Sequence, residues 1–228
     1  MKRDDNVSLV QNRRQPWDLV VIGGGATGAG CALDAASRGY SVLLLEQHDF
    51  GKGTSSRSTK LVHGGVRYLR QGNISLVREA LKERAILLRN APHVVWRQAF
   101  LIPCYSIWQK VFYGFGMKVY DRLAGDNGIG GSRILSRSET LAHLPSVRHD
   151  GLGGGVLYFD GQFDDARLLI DIIQTASSNG AAVLNYAPVT SLQKNDAGRI
   201  NGVEFCDLER GTKINVKAKC VINAAGAF

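Results

Sequence analysis

The stretch WDLVVIGGGATGAGCALDAASRGYSVLLLEQ, Trp17 to Gln47, decides the architecture. Val20, Val21 and Ile22 form the short apolar run of a buried parallel strand. Gly23, Gly25 and Gly28 follow in G-x-G-x-x-G spacing. An alanine-rich segment over 29–38 closes at Arg38-Gly39 as a helix closes. Val42 to Leu45 make a second buried strand ending at Glu46. Strand, glycine turn, helix and strand in about 30 residues are a βαβ unit.

The glycine spacing has a mechanical reading. The first glycine permits a tight turn, the second lets the backbone approach a pyrophosphate, and the third lets helix and strand pack closely. The helix N-terminus then aims N–H groups and partial positive charge at phosphate. Glu46 is placed to accept from a ribose 2′-hydroxyl and would repel a 2′-phosphate, which disfavours NADP.

The choice between NAD and FAD rests on the rest of the chain. Instead of continuing strand–helix alternation there is a polar stretch, an insert, and alternating segments near 183–193, 200–207 and 212–218. The last three, separated by NDAG and LERG turns, read as a β-meander. KCVINAAGAF reads as one more buried strand ending in a small-residue turn at Ala224, Ala225 and Gly226. That turn is placed to close over a dinucleotide, which favours FAD. The polar stretch GTSSRSTKLVHGGVRYLRQG, residues 53–72, offers Ser55, Ser56, Ser58, Thr59 and Lys60 as hydrogen-bonding groups. Gly64 and Gly65 would let a ring pass near the backbone. We read it as a cradle for the flavin end; the alternative is a solvated loop.

Composition fits this picture. The chain has 228 residues, enough for one or two domains, and its hydrophobic share of 44% is that of a globular protein. A formal charge of +8 favours an anionic ligand, membrane surface or nucleic acid. Nucleic acid ranks low because the cations are dispersed and no recognition motif is present. Cys31, Cys104, Cys206 and Cys220 have neither metal-knuckle nor redox-pair spacing. No metal site is expected, and no run approaches a membrane span.

These phrases carry a resemblance. IGGGATGAGCALDAASRG and GTSSRSTKLVHGGVRYL, together with REALKERAILLRNAPH, YFDGQFDDARL and VINAAG, resemble the N-terminal half of FAD-dependent (respiratory) glycerol-3-phosphate dehydrogenases. The likeness runs from about Asp18 to the end. It implies a two-domain flavoprotein that oxidises glycerol 3-phosphate to dihydroxyacetone phosphate on FAD. Electrons pass to quinone, at the inner, cytoplasmic face of a cell membrane to which the protein is peripherally attached. A homodimer is left open. Family members extend well past residue 228, so a truncated chain is expected and its independent activity is in question. The alternatives are a non-catalytic FAD-binding fragment and a flavin oxidoreductase for another small hydroxy acid or amine.

The expected fold is α/β: a Rossmann-like FAD-binding domain, with parallel sheet and β-meander, carrying part of an inserted substrate domain. Its expected bounds are a flexible lead over 1–15, an FAD-binding domain over 16–92 and 151–228, and a substrate- or membrane-facing insert over 93–150. The expected cofactor set is Gly23, Gly25, Gly28, Glu46, Ser55, Ser56, Ser58, Lys60, His63, Gly64, Gly65, Val189, Ala224 and Gly226. Arg67 is expected to bind the substrate phosphate with Tyr68 beside it, the alternative for Arg67 being a structural ion pair. His63 is either a base or a backbone-bonding spacer. Residues 108–122, with Trp108, Phe112, Phe115, Val119 and Tyr120 among Lys110, Lys118 and Arg122, suit either a helix in a lipid headgroup layer or packing inside the insert.

Overall fold

A computed structural model describes residues 2–227, the side chains of Arg67 and Arg70 excepted. In chain order the elements are α1 (Arg3–Asn12), β1 (Trp17–Ile22), α2 (Ala26–Ser37), β2 (Val42–Leu45), β3 (Leu61–Val62), α3 (Val66–Arg70), α4 (Ile74–Asn90), β4 (Val95–Cys104) and α5 (Ile107–Ala124). They continue with β5 (Arg133–Leu135), α6 (Arg137–His143), β6 (Gly154–Phe163), α7 (Asp165–Ser178), β7 (Ala182–Leu184), β8 (Val189–Lys194), β9 (Ile200–Asp207) and β10 (Thr212–Asn223). They form two compact units, Met1–Ser58 with Asp165–Phe228, and Thr59–Asp164.

The first unit is built on a six-stranded sheet in the order β7-β2-β1-β10-β9-β8. β7, β2, β1 and the second half of β10 are parallel. β10, β9 and β8 are antiparallel. Strand alternation sorts the apolar residues into two layers. Val21, Val42, Leu44 and Val183 face α2 and α7 through Ala29, Ala32, Leu169 and Ile173. Val20, Leu43, Leu45 and Leu184 face the opposite way, against Val7 and Val10 of α1 and Phe205 of β9. Burial of each such Val or Leu contributes about 1.5–3 kcal/mol, so the parallel strands are held from both faces.

Three expectations change here. Residues 1–15 are not a flexible lead: α1 buries Val7 and Val10 on the sheet. Arg3 pairs with Asp207 at 2.7 Å, and Asn6 accepts from the Val183 N–H at 3.3 Å. Two valines alone make no amphipathic stripe, so the helix depends on these distant partners. The segment 183–193 is not one strand: β7 belongs to the parallel sheet, and β8 begins the meander. The last two expected strands are one, β10. Its Thr212–Lys217 half runs antiparallel to β9, and it continues parallel to β1 from Ala218.

The second unit has β4 paired antiparallel to β6 from Val95↔Phe163 to Cys104↔Gly154. β3 and β5 lie at opposite ends of the other edge of β6. α4 and α5 pack over it through Val77, Leu81, Cys104, Met117, Tyr120 and Val156. This moves the expected boundaries. Residues 59–92 and 151–164, assigned to the FAD-binding domain, fold with the insert instead, because β6 pairs along its full length with β4. The cradle over 53–72 is therefore divided at Ser58. Its second half contains β3 and α3 and is not a single loop.

α5 also departs from the expected stripe. Tyr120 is buried and Val119 half-buried, while Ile107, Trp108, Val111, Phe112 and Phe115 are exposed, Trp108 at 80% and Phe115 at 72%. Among the described residues no helix is long and apolar enough to cross a membrane.

Candidate functional site

The site of the first unit lies beyond the carboxyl ends of β1, β2 and β10, where open α/β sheets bind ligands. Gly23 leaves β1 at φ +106°, and its N–H donates to the Leu45 carbonyl at 2.8 Å. A Cβ there would stand 2.4 Å from the Ala224 oxygen. Ala224 in turn donates its N–H to the Ile22 carbonyl at 2.8 Å. The two small-residue turns thus lie side by side because their parent strands are neighbours.

Gly28 has a packing reason: a Cβ would sit 1.9 Å from the Gly23 carbonyl oxygen. Gly25 is different. It caps α2 with extended backbone, φ −83° and ψ −177°, which any residue can adopt. A Cβ on it would meet only the Ser55 Oγ, at 3.0 Å, and would project into open space. That space is a cleft of about 740 Å³ lined by Gly23, Gly25, Glu46, Ser55, Val189 and Gly226 among others. Its volume is that of a cofactor or ligand site.

Glu46 bridges the turn. Its Oε2 accepts from the Gly24 N–H at 2.6 Å and its Oε1 from the His48 N–H at 2.8 Å. Each oxygen keeps acceptor capacity for a further hydroxyl. Ser55 Oγ accepts from the Ala26 N–H at 2.8 Å, tying the polar stretch to the start of α2. Ser56 and Ser58 turn elsewhere. Ser56 Oγ donates to the Gly51 carbonyl at 2.7 Å; Ser58 donates to Asp165 Oδ2 through N–H at 3.0 Å and Oγ at 2.7 Å. Neither lines the cleft.

Lys52 and Arg57 do line it, and they escaped the sequence reading. The signal was their place in GKGTSSRS, which was read for its hydroxyls. His48 also lines the cleft.

The remaining expected residues belong to the second unit. Lys60 has φ +58°, and its carbonyl accepts from the Phe163 N–H at 3.1 Å. His63 Nδ1 accepts from the Gly65 N–H at 3.1 Å. A neutral imidazole so engaged carries its hydrogen on Nε2, which donates and does not accept. This geometry answers to the backbone-bonding reading of His63. Gly65 has φ +76° and caps α3, with the half-exposed Tyr68 ring over its backbone. Arg67 lies in α3, and its side chain is outside the described residues.

Beneath this turn is a buried polar cluster. Asp160 Oδ1 accepts from Arg84 Nη1 at 2.9 Å and from the Gly64 N–H at 3.2 Å; Asp160 Oδ2 accepts from the Tyr120 hydroxyl at 3.0 Å. Burial and the Asp160 carboxylate push the Tyr120 phenol well above its ordinary range, so it stays protonated and donates. Among the described residues no group of three or more His, Cys, Asp or Glu could hold a metal ion.

A parallel sheet with a glycine turn, a strand-end carboxylate and a second small-residue turn beside the first defines a dinucleotide-binding protein of the flavin type. The cleft fits such a group: small residues leave its floor open, the α2 N-terminus opens onto it, Glu46 offers acceptors, and Lys52 and Arg57 offer positive charge. The chain belongs to the FAD dependent oxidoreductase family, whose pattern it matches over residues 18–228. It is 46% identical over 238 aligned residues to the mitochondrial glycerol-3-phosphate dehydrogenase of Mesocricetus auratus, covering 99% of this chain and 33% of that protein. It is 45% identical over 231 residues to the aerobic glycerol-3-phosphate dehydrogenase of Staphylococcus epidermidis, covering 100% of this chain and 41% of that protein. The crystal structure of the Bacillus halodurans glycerol-3-phosphate dehydrogenase complexed with FAD superposes with a TM-score of 0.74 at 38% identity, over 98% of this chain and 36% of that one. The chain thus spans 33% to 41% of these relatives' lengths.

Proposed function

We propose that this chain is the FAD-binding part of a dehydrogenase that oxidises glycerol 3-phosphate to dihydroxyacetone phosphate. The observation that carries the reading is the cleft between the Gly23–Gly28 turn and the Ala224–Gly226 turn. In this reading Gly23, Gly25, Gly28, Ala224 and Gly226 let main chain approach the diphosphate. Lys52 and Arg57 add charge to it, and Glu46 accepts from the ribose. Ser55 and Val189 border the group. Lys60, His63, Gly64 and Gly65 are assigned to its flavin end, with His63 donating through Nε2–H. When bound, FAD supplies the electron-pair acceptor for oxidation of the secondary alcohol.

Arg67 is assigned to the substrate phosphate, since a guanidinium can form paired charge-assisted hydrogen bonds to a dianion. Tyr68 adds a hydroxyl donor beside it. We further propose quinone as electron acceptor and peripheral attachment to the inner face of the cell membrane. The exposed face of α5 supports attachment, since Trp and Phe side chains favour the headgroup boundary. A homodimer is compatible with this scheme. The second reading is a flavin-binding chain without turnover of its own.

Anaerobic addition of glycerol 3-phosphate to the flavin-loaded protein separates these readings. Bleaching of the flavin absorbance is expected. Bound flavin that stays oxidised leaves the second reading standing, and failure to bind flavin at all overturns both.

A further inference from the structure

We infer that Asp160 is a positioning residue for the His63-Gly64-Gly65 turn, and through it for Arg67 and Tyr68. The inference rests on the substrate-side role proposed above for those two residues. Asp160 stands on β6 and is 3% exposed. Among the described residues its carboxylate collects four donors: Arg84 Nη1 from α4, the Tyr120 hydroxyl from α5, the Gly161 N–H of its own strand at 3.1 Å, and the Gly64 N–H. The main-chain donor it holds outside β6 is therefore that of the turn.

The cluster is costly for a purely structural device. Arg84 is 1% exposed, its Nη2 donates to the Asn127 carbonyl at 3.3 Å, and its Nε has no partner among the described residues. A buried ion pair is no better for stability than apolar side chains of the same volume. What it supplies is an acceptor fixed at one point. The turn is pressed onto that point, since a Cβ on Gly64 would lie 2.2 Å from the Tyr120 hydroxyl oxygen and 2.4 Å from Leu81 Cδ2. The next residue, Gly65, caps α3, so any shift of Gly64 is handed on to Arg67 within one helical turn.

Asp160→Asn and Tyr120→Phe test this. The first leaves one uncharged amide oxygen to serve Arg84, Gly64 and Tyr120, which the two carboxylate oxygens now share. The second keeps the carboxylate but removes the donor that fixes its Oδ2, so the acceptor for Gly64 is no longer held at one point. Three readouts apply: hydrogen exchange over residues 61–70, the Kd for FAD, and the Kd for glycerol 3-phosphate from the concentration dependence of the anaerobic bleaching rate of the loaded chain. Exchange at Gly64 and Gly65 should accelerate in both variants, and the Kd for FAD should rise with it, since the turn is assigned to the flavin end. The Kd for glycerol 3-phosphate should rise about 10- to 100-fold in Asp160→Asn, as loss of one charge-assisted hydrogen bond to the phosphate does. Native exchange at the turn in folded variants overturns the inference, and so does freed exchange with unchanged glycerol 3-phosphate affinity. If Asp160→Asn fails to fold, Tyr120→Phe decides. If the parent chain binds FAD but ignores glycerol 3-phosphate, the functional reading has failed, and the exchange measurement still decides whether Asp160 holds the turn.

Discussion

Replacing Gly25 with alanine should separate binding from folding. Its backbone is extended, and the added Cβ meets only the Ser55 hydroxyl oxygen at 3.0 Å, at the far end of a side chain that can rotate. The fold loses at most the bond from the Ala26 N–H to Ser55, about 1 kcal/mol. For a chain of this size that lowers Tm by roughly 2–4 °C. Binding loses more, because the methyl occupies the floor of the cleft and holds the diphosphate away from the main chain. Loss of one charge-assisted hydrogen bond costs about 1.5–3 kcal/mol. At about 1.4 kcal/mol per decade, FAD should bind roughly 10- to 100-fold more weakly. Titration of apoprotein with FAD, followed by quenching of flavin fluorescence, measures this. Gly28→Ala is the contrast: its Cβ would lie 1.9 Å from the Gly23 oxygen, so α2 must move and the apoprotein itself should be destabilised by about 1–3 kcal/mol. An unaltered FAD affinity for Gly25→Ala, or melting that falls as far as in Gly28→Ala, would refute this account of the glycine turn.

Acid should loosen the anchor of α1. Burial raises the Asp207 pKa, but hydrogen bonds and charge from Arg3 and the N–H groups of Glu209 and Arg210 outweigh it and hold the carboxyl below its usual value. The stabilisation is complete above the unfolded-state pKa of about 3.9 and is lost as pH falls through the lower folded-state value. Urea midpoints against pH should therefore fall at the acid end, and Asp207→Asn should start lower at neutral pH and show a shallower acid decline; parallel curves would count against it. At the other unit, Trp108→Ser with Phe112→Ser should abolish co-sedimentation with liposomes, because both are exposed on α5. Unchanged sedimentation of the double variant would remove that helix from any membrane contact.

Local order made the βαβ start readable. The Val20–Ile22 and Val42–Leu45 runs, the glycine spacing and Glu46 all lie within one short stretch, and each feature constrains the next. α4 carries Val77, Leu81 and Ala85 at helical spacing, yet Arg84 shares their buried face. Its partner Asp160 lies on β6, 76 residues away, and no periodicity reports a pairing over that distance. The same reason hid α1, whose short valine pair counts only once the sheet and Asp207 are beside it.

At the site, spacing alone pointed to the turn at Gly23 and the close packing at Gly28, since both are backbone constraints written at fixed offsets. Three serines in one polar stretch looked equivalent because composition carries no direction. Folding divided them: Ser55 borders the cleft, whereas Ser56 and Ser58 spend their hydroxyls on Gly51 and Asp165. Strand order likewise placed the Ala224 turn next to Gly23, through the pairing of β10 with β1. Chain-local chemistry is set by neighbours in sequence, while the direction of a side chain and the company of a strand are set by contacts that exist only after the chain has closed on itself.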